Sequence, residues 1–186
     1  NKYNGVVVSS KANYLYVEIN LDEEKGYICL NNNSNHIRLL CTRRNKLQFI
    51  GDRVNVGDNV LVENIDLNEK TGVVCGVKSR KSFIARPPVA NVTNIVVLLS
   101  LVEPYFDFDQ ANRFLITAEK TNLEVSLVLT KSDLISKSKI KEYVKQIINW
   151  GYEPFIISIK NEEGIDELIS KIETFKLAVL CGPSGV

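Results

Sequence analysis

The segment LAVLCGPSGV, Leu177–Val186, decides how this chain is read. An apolar run, Leu177–Cys181, leads into Gly182-Pro183-Ser184-Gly185-Val186, the pattern of a buried strand followed by the first five positions of a phosphate-binding loop. The complete loop, G-x-x-x-x-G-K-[ST], curls backbone N–H groups around phosphates at a helix N-terminus, while its Lys reaches the outer phosphates and its hydroxyl binds Mg2+. The Lys and Ser/Thr positions would fall beyond Val186. By itself a strand followed by GPSG is also an ordinary turn, so its meaning depends on what comes before it.

Working back from this segment, the second half of the chain alternates strands and helices. Asn94-Ile95-Val96-Val97-Leu98-Leu99-Ser100 is a continuous apolar run, as expected of a strand buried on both faces of a parallel sheet. A helix should follow, capped by Asp107 or Asp109, with Phe114, Leu115 and Ala118 on one face and Asn122 near its end. The pattern then predicts a strand over Val125–Thr130, a helix near Ile140–Trp150, a strand over Phe155–Ser158, a helix near Ile165–Phe175 and a strand over Leu177–Leu180. Strand–helix alternation of this kind implies right-handed crossovers and a parallel sheet, whose ligands bind beyond the carboxyl ends of the strands.

The residues in those positions are Thr130-Lys131-Ser132-Asp133, then Ser158-Ile159-Lys160 followed by Gly164-Ile165-Asp166-Glu167-Leu168, then Gly182–Val186. A carboxylate at Asp133 can accept two hydrogen bonds from guanine N1 and N2, with the Lys131 stem along the base. Adenine lacks that donor pair and would leave the charge unsatisfied. A Ser-x-Lys turn can present a backbone N–H to guanine O6. The same residues suit a plainer role, in which Ser132 or Asp133 caps the next helix, and an α/β ATPase with such a cap is a competing reading. The order is the informative part, because the base-reading elements precede the phosphate loop, a circular permutation that a parallel sheet tolerates.

The first half has a different rhythm. YNGVVVSS, NYLYVEIN, GYICLNN, HIRLLCTRR, DNVLVENID and GVVCGVKS are short β-type runs broken by Gly, Asn and Asp. Asn31–Asn35, Gly51-Asp52 and Gly57-Asp58 read as turns. Five or six such strands suggest a small closed barrel, of OB type first and SH3 type second. Arg86-Pro87-Pro88 marks the change of rhythm, since two prolines block both a helix and a central strand.

Composition bounds the answer without specifying it. At 186 residues the chain fits one or two domains, and 45% hydrophobic with 24% charged residues is ordinary for a folded protein. No run approaches the roughly 18 apolar residues of a membrane span, and the N-terminal stretch has neither signal-peptide nor transit-peptide character. Cys29, Cys41, Cys75 and Cys181 form no C-x-x-C pair, so reduced structural thiols in a cytosol-like compartment are expected rather than disulfides or a zinc site. Residues 1–90 hold 13 Lys and Arg against 9 Asp and Glu, whereas residues 91–186 hold 10 against 13, which suggests two domains with different partners. Arg38, Arg43, Arg44, Lys46 and Arg53 form one basic group and Lys78, Arg80, Lys81 and Arg86 a second. Tyr14, Tyr16 and Phe49 are candidate stacking partners for a nucleic acid, against the alternative of a solvated charged surface with core aromatics. His36 reads as a surface residue.

Taken together, Lys78–Val92 (KSRKSFIARPPVANV), Leu129–Leu134 (LTKSDL), Ser158-Ile159-Lys160 and Gly182–Val186 resemble the circularly permuted, small-ribosomal-subunit-dependent GTPases of the RsgA (YjeQ) family. The resemblance covers essentially the whole chain. Thr130 departs from the usual Asn-Lys-x-Asp, whose Asn holds neighbouring loops together. The resemblance implies an OB barrel over residues 1–84 that helps dock on ribosomal RNA, and a permuted P-loop GTPase domain over 85–186 that ends inside the phosphate loop. It assigns guanine to Thr130, Lys131, Ser132, Asp133, Ser158, Ile159 and Lys160, and phosphate to Gly182, Pro183, Ser184, Gly185 and Val186, while the clustering of Arg38, Arg43, Arg44, Lys46, Arg53, Lys78, Arg80 and Lys81 makes them the candidates for rRNA contact. The intact family member is a cytoplasmic, or less typically organellar, monomer that uses GTP and GDP with Mg2+, acts late in small-subunit assembly and carries structural Zn2+ in a C-terminal domain. This chain is expected to hold no catalytic residue and no metal ligand, to hydrolyse no GTP and to bind nucleotide weakly. The alternative is an RNA-binding OB module fused to a non-catalytic α/β nucleotide-binding domain.

Overall fold

Alternation in LYVEIN, Leu15–Asn20, buries Leu15, Val17 and Ile19 completely and leaves Tyr16, Glu18 and Asn20 partly exposed, the pattern of a strand with one face on a core. In the computed structural model, which describes residues 2–20, 36–44 and 53–186, this strand is β2 of a closed barrel. Its companions are β1 (Tyr3–Ser10), β3 (His36–Arg43), β4 (Asn59–Asp66) and β5 (Thr71–Val77), in the order β1-β2-β3-β5-β4. All pairings are antiparallel except β3 with β5, where Leu40 to Arg43 run parallel to Thr71 to Val74. That parallel closure gives the OB-like barrel expected from the sequence. The core is built from the inward positions of every strand, among them Val7, Leu39, Cys41, Val60, Val62 and Val74. Burial pushes the Cys41 thiol up to about 11, so it remains an uncharged apolar filler. The readings placed on GYICLNN, Asn31–Asn35, Gly51-Asp52, Cys29, Lys46 and Phe49 lie outside the described residues.

The chain forms two compact units, Asn1–Val92 and Thr93–Val186. The first includes a two-stranded ribbon, β6 (Phe83–Ala85) with β7 (Pro88–Ala90), whose turn holds Arg86 and Pro87. Pro88 is the first residue of its strand, a place where a missing N–H is tolerated. Asp58 fastens this region to the barrel. Its carboxylate is fully buried and accepts Arg80 Nε at 2.7 Å and Arg80 Nη2 at 2.8 Å, and it also accepts the Asn55 N–H at 2.8 Å. The Arg80 guanidinium lies 4.6 Å from the Phe83 ring centre. Asn91 adds a second tie, donating to the Gly57 carbonyl and accepting the Lys81 N–H.

The second unit is a four-stranded parallel sheet in the order β10-β9-β8-β11, made of β8 (Asn94–Ser100), β9 (Glu124–Thr130), β10 (Phe155–Ile156) and β11 (Ala178–Cys181). Three α-helices connect them: α1 (Phe108–Glu119), α2 (Lys137–Asn149) and α3 (Ile165–Ile172). Asp107 caps α1 by accepting the N–H groups of Asp109 and Gln110. Helix α1 packs on β8 and β9, and Leu168 of α3 joins Val96, Val128 and Ile157 in a core cluster. Phe108 of α1 meets Tyr143 of α2 and Trp150 just past its end, both edge to face, which fixes the two helices against each other.

Removing the charge at Asp58 tests the barrel-to-ribbon tie. Asp58→Asn should cost roughly 2 kcal/mol, below the ~3–5 of a fully buried pair because Arg80 keeps some solvent contact. Urea denaturation followed by far-ultraviolet circular dichroism would show the loss as a lower midpoint with unchanged slope.

Candidate functional site

The parallel register brings the carboxyl ends of the strands to one edge, with Ser100 beside Thr130, Ile156 beside Leu129 and Cys181 beside Val97. Each of the three segments singled out in the sequence of this unit leaves the sheet there, and hydrogen bonds join them. Lys131, directly after β9, adopts the left-handed conformation with φ 60° and ψ 39°, which is uncommon for a residue with a Cβ. That turn sends its ammonium to two backbone carbonyls at once, Glu103 in the β8–α1 loop and Gly185 in the phosphate-type loop, the latter at 2.7 Å. Charge-assisted bonds to both carbonyls offset the roughly 1 kcal/mol cost of the left-handed backbone.

Ser132–Leu134 form a single 3-10 turn, and the Ser132 N–H donates to the Ile157 carbonyl at 3.2 Å. Neither Ser132 nor Asp133 caps α2. That role falls to Ser136, whose hydroxyl accepts the Lys139 N–H, so the plainer reading of Asp133 does not hold. The Asp133 carboxylate instead accepts the Ser158 hydroxyl at 2.7 Å, and the same hydroxyl accepts the Asn161 N–H at 3.1 Å. Ser158 is fully buried. One oxygen of Asp133 is thereby fixed in place, and the carboxylate keeps further lone pairs for a ligand with paired N–H donors.

Ile159 and Lys160 are exposed, and among the described residues their N–H groups make no hydrogen bond, whereas the Ser158 N–H is held by Glu163. Gly164 closes this turn at φ 71°, and a Cβ there would lie 2.1 Å from the Ile156 carbonyl oxygen. Gly182 is equally confined, since a Cβ would meet the Leu98 carbonyl oxygen at 2.2 Å. Gly185 has φ 85°. Thr130 Oγ1 is buried without a partner among the described residues. Its short hydroxyl makes none of the loop-to-loop ties expected of Asn, and Lys131 and Ser158 make them instead. The carbonyls of Glu103 and Leu98 and the Asn161 N–H were not legible in the sequence, because backbone groups carry no residue signature.

In the barrel unit the basic residues are less available than their spacing suggested. Arg38 donates to Glu18 from both Nε and Nη2, and Arg44 pairs with Glu63 at 3.1 Å. Arg43 reaches the Ser10 hydroxyl and the Ala12 carbonyl. The guanidiniums of Arg38 and Arg44 remain largely exposed, so their ion pairs are cheap to exchange. Arg80 differs, because its guanidinium is held by Asp58 and the Arg53 carbonyl. Arg53, Lys78 and Lys81 are exposed, and Tyr14 and Tyr16 meet edge to face at 6.0 Å.

A family model described as RsgA GTPase matches residues 77–186. The chain is 46% identical over 187 residues to a curated small ribosomal subunit biogenesis GTPase RsgA from Prochlorococcus marinus, covering 100% of this chain and 60% of that protein. It is 47% identical over 182 residues to the protein of the same name from a Synechococcus strain, covering 98% and 57%. Among solved structures it is similar to YjeQ from Thermotoga maritima, with TM-score 0.80, 28% identity and coverage of 100% of this chain and 62% of that one. It is also similar to YloQ, described as a circularly permuted GTPase, with TM-score 0.77, 26% identity and coverage of 100% and 61%. The chain thus spans about 60% of the length of the curated relatives it matches.

Replacing Ser158 with Ala should cost roughly 1–2 kcal/mol, because it strips the half-buried Asp133 carboxylate of its hydroxyl donor and leaves the Asn161 N–H without its acceptor. Chemical denaturation of the two forms would read this directly, and a change below the error of the method would mean that Asp133 is held by something else.

Proposed function

The chain belongs to the RsgA GTPase family, and from that premise we propose that it forms the barrel and the guanine-reading part of a GTPase that acts in maturation of the small ribosomal subunit. One observation carries this reading. Lys131 and Ser158 together lock the Asp133 loop, the Ser158 turn and the Gly182–Val186 loop into a single edge of a parallel sheet. A helix-capping Asp or an isolated glycine turn would have no need of that linkage.

In this reading Thr130, Lys131, Ser132 and Asp133 read the guanine ring with Ser158, Ile159 and Lys160. Asp133 accepts the N1 and N2 donors, the Lys131 stem covers a base face, and a free amide of the Ser158 turn donates to O6. Gly182, Pro183, Ser184, Gly185 and Val186 begin the phosphate cradle, and the tight passage of Gly182 over Leu98 supports such a role. GTP and GDP are then the ligands, and hydrolysis belongs to the whole protein. Mg2+ and Zn2+ belong, in this reading, to the parts of the whole protein that complete the phosphate loop and follow it.

The barrel supplies the contact with small-subunit rRNA through Arg38, Arg43, Arg44 and Arg53, with Lys78 and Lys81 beside them. Arg80 has a different part, holding the β6–β7 ribbon in place. The protein works as a cytoplasmic monomer, with the small ribosomal subunit as its partner. Domain limits of 1–84 and 85–186 remain part of the proposal.

Two measurements test these assignments in the full-length protein. Asp133→Asn should lower GDP affinity at least about 100-fold and bring xanthosine diphosphate into the same affinity range, as expected when a site built for a donor pair loses its acceptor. Unchanged GDP affinity would remove Asp133 from the base site. Neutralising Arg38, Arg43 and Arg44 together should weaken small-subunit binding and flatten the slope of log K against log salt by roughly 0.7–0.9 for each phosphate no longer neutralised. An unchanged slope would mean that this face does not touch RNA.

A further inference from the structure

Helix α2 presents two parallel rows that the nucleotide edge does not use. Ile140, Val144 and Ile148 recur every fourth residue, and with Ile156 of β10 they line an open groove of about 290 Å3. Lys137, Lys141 and Lys145 repeat with the same spacing on the neighbouring row, and Lys141 and Lys145 border the groove. The helix meets the rest of its unit elsewhere, through Ile147, which is fully buried, and Tyr143, which stacks on Phe106. Ile148 is 52% exposed and Ile140 and Val144 are only half-buried, so core packing does not account for the whole of the apolar row. Helix propensity does not explain it either, since branched side chains lose rotamer freedom on a helix.

The charges on this face are also unbalanced. The one acid of α2, Glu142, is paired with Lys139 at 2.9 Å. Among the described residues Lys137, Lys141 and Lys145 pair with no carboxylate. Among the described residues β10 is the outermost strand of its sheet and pairs only with β9, so the groove lies at that edge.

We propose that this groove is a docking site for an acidic amphipathic helix of a partner protein. An apolar row flanked by a lysine row is complementary to a helix whose apolar residues recur at i, i+3, i+4 and i+7 with Asp or Glu alongside. Nucleic acid would use the lysines but would set phosphates against Ile140, Val144 and Ile148, so the apolar row favours protein. Lys137 to Ile148 extend over roughly 16 Å, about three turns, which is enough for three apolar anchors from the partner.

The test titrates the full chain into a fluorescein-labelled amphipathic peptide of Leu and Glu, roughly five turns long, and follows anisotropy at low and high salt. A scrambled peptide of the same composition and poly(U) serve as the other arms. The peptide should bind saturably, and the scrambled form at least about tenfold more weakly. Ile148→Asp should lower affinity about tenfold at both salt concentrations, whereas Lys141→Glu with Lys145→Glu should do so mainly at low salt. Circular dichroism and the thermal midpoint confirm folding, and Ile148→Ser replaces the Asp variant if that variant unfolds. Equal binding of the scrambled peptide, or no saturable binding, would overturn the proposal. So would poly(U) binding that displaces the peptide and is insensitive to Ile148→Asp, because the surface would then belong to nucleic acid.

Discussion

The parallel register of β8 with β9 and β11 is the constraint on which the second unit depends. Parallel strands need long crossovers, and crossovers that all run the same way deliver every loop after a strand to the same edge. Ser100, Thr130, Ile156 and Cys181 therefore end side by side. A register shift of one residue would turn Thr130 and Lys131 to the wrong faces and break the bond from Lys131 to Gly185. The same register accounts for the permuted order. Neighbours in the sheet need not be neighbours in the chain, so β11 lies beside β8 although the chain passes through the two other strands between them.

The barrel solves a different problem, that of sheet edges. Five strands close on themselves because β3 turns parallel to β5, which leaves no unpaired edge in the ring. Closure also limits which charges are free. Arginines on or beside the strands find carboxylates across the ladder, Arg38 opposite Glu18 in register and Arg44 close to Glu63. Asp58, buried with Arg80, turns what looks in the sequence like one more basic residue into a fastener for the ribbon.

Much of the architecture is legible in the residues alone. Strict alternation in LYVEIN and the unbroken apolar run of Asn94–Ser100 identify half-buried and fully buried strands by period alone. Element ends are less legible. The strand expected over Phe155–Ser158 contracts to Phe155–Ile156, because Ser158 leaves the ladder to pair with Glu163 and hold Asp133. The cap of α2 lies at Ser136 rather than at Ser132 or Asp133, since those two are drawn away by Ile157 and Ser158. Tertiary hydrogen bonds outweigh a local capping preference of about 1 kcal/mol.

By itself the sequence determined the two periods, the permuted order of the loops and the residue types at each strand end, because hydrophobic spacing and side-chain chemistry are local properties. Only the tertiary structure decided which groups answer one another. Lys131 finds the carbonyls of Glu103 and Gly185, Gly182 passes within a Cβ of Leu98, and Arg80 disappears onto Asp58. Those partners are backbone atoms or distant side chains, and their positions exist only once the sheet has brought separate segments to a common edge and the barrel has closed.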